Sequence, residues 1–358
     1  MNELEQFLQT VLAQPLAAAR GAIGHVGPGI PIDLLLATGR PNLHLPWRFG
    51  RATPAADRYL ESSFPGWARS LVQDWADGCF DAFDCVVFSR GDDGAQRLYY
   101  YLRELRRRGQ IQGPEPLIFD LALIPRASSE RHTTRAVRTL ATRFGVDAAA
   151  LRRGIAAGNR RRALFAAIEA DRCANGAGGA LYERIARASL FADCDDVLRA
   201  ALASDGLPRG APAGRVLLAG SVPPDDRLHL AVEETGWSIT GEAHEQGLTR
   251  LGAGLAVFDD ADPANAIACQ LRASARGARA FFDRSAALLV DAARVRADAV
   301  ILWLAREDEG LAWHLPAQQE ALAQAGMPVL CLAERDWDDR DAATPIIEFI
   351  RSLESCNR

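Results

Sequence analysis

Short apolar runs alternate with longer amphipathic segments along most of the chain, and this alternation is the feature that most restricts its fold. Clear runs occupy 85–88, 116–121, 215–219 and 299–304, and each is followed by a segment with helical periodicity. Strands that are apolar on both faces belong to parallel sheets, which helices cover on both sides. The pattern therefore predicts an α/β fold built on parallel sheets.

The other elements follow from the same pattern. The apolar run at 32–38 is long enough for a buried strand and is predicted to be the first strand of the chain. Further strands are predicted at 236–240 and 328–332. Apolar periodicity and terminal residues predict helices at 2–20, 56–76, 96–108, 128–144, 227–235, 282–296, 312–325 and 343–354.

The chain is predicted to have two lobes. Its 358 residues exceed the ~250–300 at which a single hydrophobic core stops growing. Between 147 and 204 the pattern is helical, and no strand is recognisable there. We therefore expect an N-terminal Rossmann- or flavodoxin-like lobe at 1–146, a helical connector or lid at 147–210, and a second such lobe at 211–358.

Composition restricts the partners and the compartment. Hydrophobic residues make up 49% of the chain and the formal net charge is −5, so there is no global attraction to nucleic acid or to an anionic membrane. No run of ~20 apolar residues is present for a membrane span, and the acidic N-terminus lacks the pattern of a secretory signal. We expect a cytoplasmic protein with no nucleic-acid or membrane partner.

Familiar metal and nucleotide motifs are absent from the sequence. The seven cysteines form no C-x-x-C pair, and there is no P-loop, H-E-x-x-H or G-x-S-x-G motif. The glycine-rich segment at 176–179 has no strand before it, so a loop is favoured over a dinucleotide site. We predict no metal site in this chain.

Candidate site residues are those that directly follow the predicted strands. In open parallel sheets, ligands bind in the crevice at the carboxyl ends of the strands. The catalytic candidates are Ser89, Arg90, Asp92, Asp93, His44, Glu307 and Asp308, and the candidates for binding a ligand or substrate are Gly220 and Ser221. Alternatives remain open: Asp92 with Asp93, and Asp225 with Asp226, also suit helix N-caps, and His44 also suits a structural role.

Taken in order, the segments between 28 and 352 resemble the cluster-bearing subunits of 2-hydroxyacyl-CoA dehydratases and benzoyl-CoA reductases. The resemblance is distributed over several short stretches, none of which is specific alone. They include the opening "P-x-E-L-L-x-A-x-G" pattern, the helix after the central cysteine, an Asn-then-Arg helix, the start of the second lobe and the final strand–helix–strand, at 29–39, 97–102, 159–162, 217–240, and 297–301 with 326–330.

The resemblance implies one [4Fe–4S] cluster per subunit, held by three cysteines. This sequence departs from the family at all three places, around 64–67, within 90–93 and within 306–308, where no cysteine occurs. Cys85 and Cys79 lie too far back along the sheet to replace the second ligand, at ~3.3 Å per strand residue. We therefore expect no cofactor in this chain, a CoA thioester as its ligand, and a [4Fe–4S] cluster only if a partner subunit supplies it.

Three functions follow from the resemblance. We favour a cluster-free subunit of a heteromeric acyl-CoA-processing enzyme, pairing with a cysteine-bearing paralogue and helping to hold the CoA ester, with aromatic acyl groups among the candidates. The alternative is a catalytic acyl-CoA dehydratase or reductase subunit, or a non-redox acyl-CoA enzyme that uses the carboxylates of the crevice. A regulatory or scaffold protein that binds no CoA is the third.

Overall fold

The computed structural model describes residues 2–256 and 261–356 and confirms an α/β protein with two lobes. The first sheet has four parallel strands in the order β2-β1-β3-β4: β1 (Ile23–Val26), β2 (Asn42–His44), β3 (Cys85–Ser89) and β4 (Glu115–Phe119). Its helices are α1 (Glu3–Ala13), α2 (Ile32–Ala37), α3 (Pro54–Tyr59), α4 (Gly66–Ala76), α5 (Asp93–Arg107) and α6 (Ala127–Arg143). The predicted strands at 85–88 and 116–121 are confirmed.

The predicted first strand at 32–38 is wrong. This segment forms α2, and the first strand is β1, which lies in the preceding glycine-rich stretch. Short apolar runs suit a buried helix as well as a buried strand, so periodicity alone does not separate them. Because of this shift, His44 lies at the end of β2 instead of in the loop after the first strand.

The helical connector between the lobes is confirmed. Residues 147–204 form α7 (Ala148–Asn175), α8 (Gly179–Phe191) and α9 (Cys194–Ala203), without a strand. Residues 176–178 of the glycine-rich segment form the loop between α7 and α8, as predicted, and Gly179 begins α8. Gly176 and Gly178 have φ values of 79° and 74°, where a glycine avoids strain. The exact domain limits at 146 and 210 stay a prediction.

The second sheet repeats the strand order of the first. Its parallel strands run β6-β5-β7-β8: β5 (Arg215–Gly220), β6 (Ser238–Ala243), β7 (Ala299–Ala305) and β8 (Val329–Arg335). The helices are α10 (Arg227–Glu233), α11 (Pro263–Ala273), α12 (Arg284–Val295), α13 (Glu309–Ala312), α14 (Leu315–Gln324) and α15 (Ala343–Cys356). The shared order, second-first-third-fourth, makes the two lobes similar in topology.

Several helices differ from their predicted limits. The predicted helix at 56–76 is divided into α3 and α4 around Pro65, and that at 312–325 begins earlier, as α13 and α14. The first helix ends at Ala13 instead of continuing to 20. No helix among the described residues is long and apolar enough to cross a bilayer.

Helix α11 was not predicted, and it joins the two halves of the chain. Although it follows β6 of the second sheet, its apolar side enters the core of the first lobe, where Ile267 and Leu271 pack with Val137 and Leu140 of α6. The sequence does carry a start signal, because Asp262 caps the helix and Pro263 occupies its first turn. Which lobe the helix packs on depends on tertiary contacts alone.

The connector is fixed to the first lobe by a close helix contact. A Cβ atom on Gly158 of α7 would lie 1.9 Å from Asp33 Oδ1 in α2, and one on Gly154 would lie 2.1 Å from the backbone oxygen of Asp33. Arg162 of α7 donates to both carboxylate oxygens of Asp33, at 2.8 and 2.6 Å, and both side chains are buried. The small residues therefore let a buried, bidentate ion pair form between the helices.

Candidate functional site

The carboxyl ends of the two sheets face each other across a cavity of about 190 Å³, which we call the acyl cavity after the ligand that the sequence resemblance leads us to expect. The first lobe lines it with the loop after β1 and with Asp92; the second lobe lines it with Gly220, Ser221 and Asp308. This is the position at which ligands bind in parallel α/β sheets. The closing walls come from α7 and α8 of the connector, through Arg162 and Leu190.

Five of the nine predicted site residues line the acyl cavity: His44, Asp92, Gly220, Ser221 and Asp308. The other four lie outside its lining. Ser89 is buried at the end of β3, where its Oγ accepts a hydrogen bond from Gly91 N at 2.9 Å, and Arg90 pairs with Asp120 at 2.5 Å. Asp93 pairs with Arg279 at 2.6 Å, and Glu307 is half-buried beside the cavity residue Asp308.

Asp92 has a structural and an electrostatic role at once. Its Oδ1 accepts a hydrogen bond from Ala95 N at 2.6 Å, so it is the N-cap of α5, one of the two roles that the sequence suggested. Burial raises the pKa of Asp92 to about 6 against the opposing effect of this hydrogen bond, and the charges of Asp308 and Asp93 raise it further. Asp92 therefore keeps its proton up to about pH 6.

Asp308 and Glu245 complete a group of three carboxyls in the acyl cavity. Ser221 Oγ donates a hydrogen bond to Asp308 and accepts one from Ala305 N at 2.9 Å, which fixes the Asp308 side chain at the end of β7. Burial raises the pKa of Asp308, and burial together with the charges of Asp92 and Asp308 raises that of Glu245 well above its usual value. Burial therefore favours the protonated form of these carboxyls, which can donate a hydrogen bond.

Glu245 was missed because strand β6 was predicted to end too early. The predicted strand ended at 240, whereas β6 continues to Ala243, so Glu245 follows its carboxyl end. A Cβ atom on Gly277 would lie 1.6 Å from Glu245 Oε1, so the glycine leaves the space that this carboxyl occupies. The rule that site residues follow strands would have selected Glu245 with the correct strand limit.

Neutral imidazoles occupy the other side of the acyl cavity. His44 Nδ1 lies 2.7 Å from the backbone oxygen of Leu45 and donates to it, which leaves Nε2 as an acceptor. Burial lowers the pKa of His44 to about 4. His25 contacts His44 edge to face, with 5.3 Å between ring centroids, and burial and the neighbouring His44 lower its pKa well below the usual value.

Three tryptophans supply much of the apolar wall, namely Trp47, Trp67 and Trp337. Trp47 contacts His44 edge to face at 5.4 Å, and Trp337 lies 6.4 Å from Trp47. A Cβ atom on Gly94 would lie 2.8 Å from Trp67 and 3.2 Å from Asp92 Oδ1, so Trp67 and Asp92 lie side by side at the start of α5. The cavity thus has an aromatic wall next to carboxyl groups.

A second, larger cavity of about 810 Å³ adjoins the first, and we call it the outer cavity. Gly220, His244, Glu245 and Arg276 line both cavities. Residues 274–283, between α11 and α12, form an irregular segment that borders both cavities, and we call it the strap. Arg284 holds the strap in place by donating to the backbone oxygens of three residues, Arg276, Gly277 and Ala280.

A protein-family model described as "2-hydroxyglutaryl-CoA dehydratase, D-component" matches residues 29–347. The chain belongs to this family. The match confirms the resemblance seen in the sequence, and it covers both lobes and the connector. A search of curated proteins found no match.

In this D-component family member, the three places that lack the expected cysteines converge on the acyl cavity. Pro65 and Trp67 represent the first place, Asp92 the second and Asp308 the third, and all four residues line the cavity. No cysteine among the described residues lines it, and the part of the chain that the structure describes has no group of three or more His, Cys, Asp or Glu side chains suited to a metal ion. An indole and two carboxyls with raised pKa values do not fit a [4Fe–4S] cluster, which is held by thiolates.

Proposed function

We propose that this chain is a cluster-free subunit of a heteromeric acyl-CoA-processing enzyme that holds the acyl end of a CoA thioester in the acyl cavity. A cysteine-bearing paralogue would supply the [4Fe–4S] cluster. The proposal depends mainly on one observation: Trp67, Asp92 and Asp308 stand where the cluster ligands are expected, and the cavity between them is kept. The description "D-component" of the matching family supports a role for this chain as one component of an assembly.

The walls of the acyl cavity suit the acyl end of a thioester. Its volume of about 190 Å³ is below the ~300–1,000 Å³ of pockets that enclose a whole drug-sized ligand, so the rest of CoA would lie outside it. Aromatic side chains would pack on the acyl group, most favourably on an aromatic one. Protonated Asp92 or Glu245 would donate a hydrogen bond to the thioester oxygen, a use of raised carboxyl pKa values known in enzymes.

We also propose a cytoplasmic location. The six cysteines whose side chains the structure describes are all unpaired. Free thiols are usual in reducing compartments, whereas secreted proteins commonly form disulfides. Fractionation of the host, followed by detection of this chain in the soluble cytoplasmic fraction, tests this; recovery from an extracytoplasmic fraction would contradict it.

Anaerobic reconstitution tests the absence of a cluster. The isolated chain is incubated with iron, sulfide and reductant, desalted, and analysed for iron and by electron paramagnetic resonance, with a cysteine-bearing family member treated in parallel as the control. We expect the control to retain about four irons per cluster and this chain to retain only background iron. A stoichiometric [4Fe–4S] signal from this chain would overturn the cluster-free assignment.

Calorimetry and co-purification test the other two parts. Titration with acetyl-CoA and benzoyl-CoA is expected to show binding, and a Trp47→Ala variant is expected to weaken benzoyl-CoA more than acetyl-CoA because it removes part of the aromatic wall. Purification from the host is expected to recover a cysteine-bearing family member. Absence of CoA-thioester binding would favour a scaffold, and recovery of the chain alone would contradict the heteromer.

A second candidate function is acid–base chemistry on an acyl-CoA by this chain alone. It is favoured by the presence in one cavity of a neutral His44, whose Nε2 can accept a proton, and of carboxyls whose pKa values are raised by burial. Such a pair of base and acid suits non-redox hydration or thioester chemistry. Turnover of an acyl-CoA panel by pure protein in air, lost in His44→Gln and in Asp308→Asn, would support it; turnover unchanged in both variants would remove these residues from the mechanism.

A further inference from the structure

Four arginines among the described residues line the outer cavity, and two of them have no carboxylate partner. Arg162 is paired with Asp33, and Arg294 is paired with Glu169 at 2.6 Å. Neither Arg276 nor Arg284 lies within 4.0 Å of a carboxylate oxygen in the part of the chain that the structure describes. These two side chains therefore bring positive charge to the cavity that the protein does not neutralise by a direct ion pair.

Arg276 and Arg284 are held together by Phe282. The guanidinium carbon of Arg284 lies 4.6 Å from the centroid of the Phe282 ring, and that of Arg276 lies 5.3 Å from it. Arg284 is 9% exposed, and its Nε is buried without a hydrogen-bond partner. Arg276 is exposed and borders both cavities. Stacking on the ring orders two guanidinium groups that would otherwise be free to turn.

Nearby titratable groups leave this charge in place. Glu245 is the acid whose charge acts on Arg284, and burial together with the charges of Asp92 and Asp308 raises its own pKa well above the usual value, which disfavours its charged form. Burial and the charge of Arg284 lower the pKa of His314, at the start of α14, which keeps this imidazole neutral. The local excess of positive charge is thus carried by the two arginines.

We propose that Arg276 and Arg284, with Phe282, form a site for the phosphate groups of a phosphorylated ligand in the outer cavity. The inference rests on the proposed function in one respect: the ligand we expect is the CoA thioester whose acyl end lies in the acyl cavity. Guanidinium groups bind phosphate oxygens through parallel N–H donors, and a site that lacks a protein carboxylate is free to accept them. Arg276 is the residue that contacts the ligand, and Arg284 orders the strap, on which Arg276 lies.

The volumes of the two cavities and their shared border support a ligand whose phosphates lie in the outer cavity and whose acyl end lies in the acyl cavity. The outer cavity, at about 810 Å³, lies within the ~300–1,000 Å³ of pockets that enclose a ligand of nucleotide size. The acyl cavity is smaller by a factor of about four, and Gly220 and Glu245 line both. The pantetheine arm would cross at this shared border, next to the group of three carboxyls.

Calorimetric affinities of three probes test the site: acetyl-CoA, S-acetylpantetheine, which lacks the phosphates, and inorganic pyrophosphate. We expect wild-type protein to bind acetyl-CoA at least about tenfold more tightly than S-acetylpantetheine, since a hydrogen bond to a charged group contributes that much or more. Arg276→Gln should remove most of this preference and leave the affinity for S-acetylpantetheine unchanged. Arg276→Lys, which keeps the charge, should retain part of it.

Arg279→Gln is the matched control, because Arg279 lies on the same strap but donates to the first lobe, to Arg90 O at 2.9 Å and Gln96 Oε1 at 2.6 Å. Its preference for acetyl-CoA should equal that of wild type. Equal binding of both thioesters by wild type, or equal weakening of both by Arg276→Gln, would overturn the phosphate site while the proposed function stands. Binding of pyrophosphate that depends on Arg276, with no thioester binding, would support a site for free phosphates and refute the proposed function.

Discussion

Replacing Asp92 by Asn should stabilise the protein, but only at pH values above the pKa of a free aspartate. The substitution is nearly isosteric, and Asn is as good an N-cap as Asp. The hydrogen bond from Ala95 N to the side chain at position 92, which caps α5, is therefore kept. What the change removes is a charge that the folded protein solvates poorly. Asp92→Asn therefore separates the structural role of this residue from its electrostatic cost.

The magnitude follows from the pKa of Asp92, which lies at about 6 in the folded protein against 3.8 for a free aspartate. Ionising Asp92 in the folded state therefore costs about 3 kcal/mol more than in the unfolded chain. The folded state keeps this proton up to about pH 6, whereas the unfolded chain releases it above about pH 4, so wild-type stability falls as pH rises through this interval. The folded-state pKa already includes the favourable interaction of the charge with the start of α5, so the variant should gain about 3 kcal/mol where Asp92 would be ionised.

Urea unfolding at pH 4 and at pH 8 measures this difference. The Asn variant should match wild type at pH 4 and exceed it by about 3 kcal/mol at pH 8. Asp147→Asn is the control, because Asp147 caps α7 through Ala150 N at 2.7 Å, outside the acyl cavity, and it should give no gain at either pH. A gain for Asp92→Asn that is the same at both pH values, or a loss at pH 8, would refute the proposed burial of charge.

Three further changes test the fold and the cavity. Arg162→Met leaves the buried Asp33 without its counter-charge and should lower the free energy of unfolding by about 3–5 kcal/mol in urea, whereas an unchanged midpoint would contradict the buried pair. Gly158→Ala puts a methyl group 1.9 Å from Asp33 Oδ1 and should cost about 1–3 kcal/mol, while Gly254→Ala, with its nearest contact at 3.6 Å, should cost less. Because the pKa of His44 is about 4, ligand binding measured between pH 5 and 8 should show no inflection from His44; one near pH 6.5 that His44→Gln removes would be inconsistent with its burial.

The local sequence predicted the strands correctly where an apolar run was compatible with a strand alone. The apolar runs of β3, β4, β5 and β7 are flanked by turns and helices, and all four strands are where they were expected. The strand-end rule selected Asp92, Ser221 and Asp308 as candidates, and all three line one cavity in the structure. It succeeded because chain direction alone decides which end of a parallel strand carries the loop.

Local sequence failed where neighbours decide the outcome. The run 32–38 forms α2, which packs closely on α7 at Gly154 and Gly158, and the residue types of the run do not distinguish a buried helix from a buried strand. Arg90 and Asp93 follow the carboxyl end of β3, as Asp92 does. However, Arg90 pairs with Asp120, and Asp93 pairs with Arg279 of the strap. A loop brings several polar residues to a crevice, and only the tertiary contacts select which of them faces it.

The sequence by itself determined the α/β class, the two lobes with a helical connector, the family resemblance and the absence of cysteine at the three places where that resemblance leads us to expect cluster ligands, because each depends on residue types and their order along the chain. The tertiary structure decided that the three altered positions meet in one cavity, that Glu245 joins Asp92 and Asp308 there, and that Arg276 and Arg284 lack carboxylate partners. These properties depend on burial and on distances between residues far apart in the chain. Both pKa values and ion pairs arise from such distances, so no local pattern contains them.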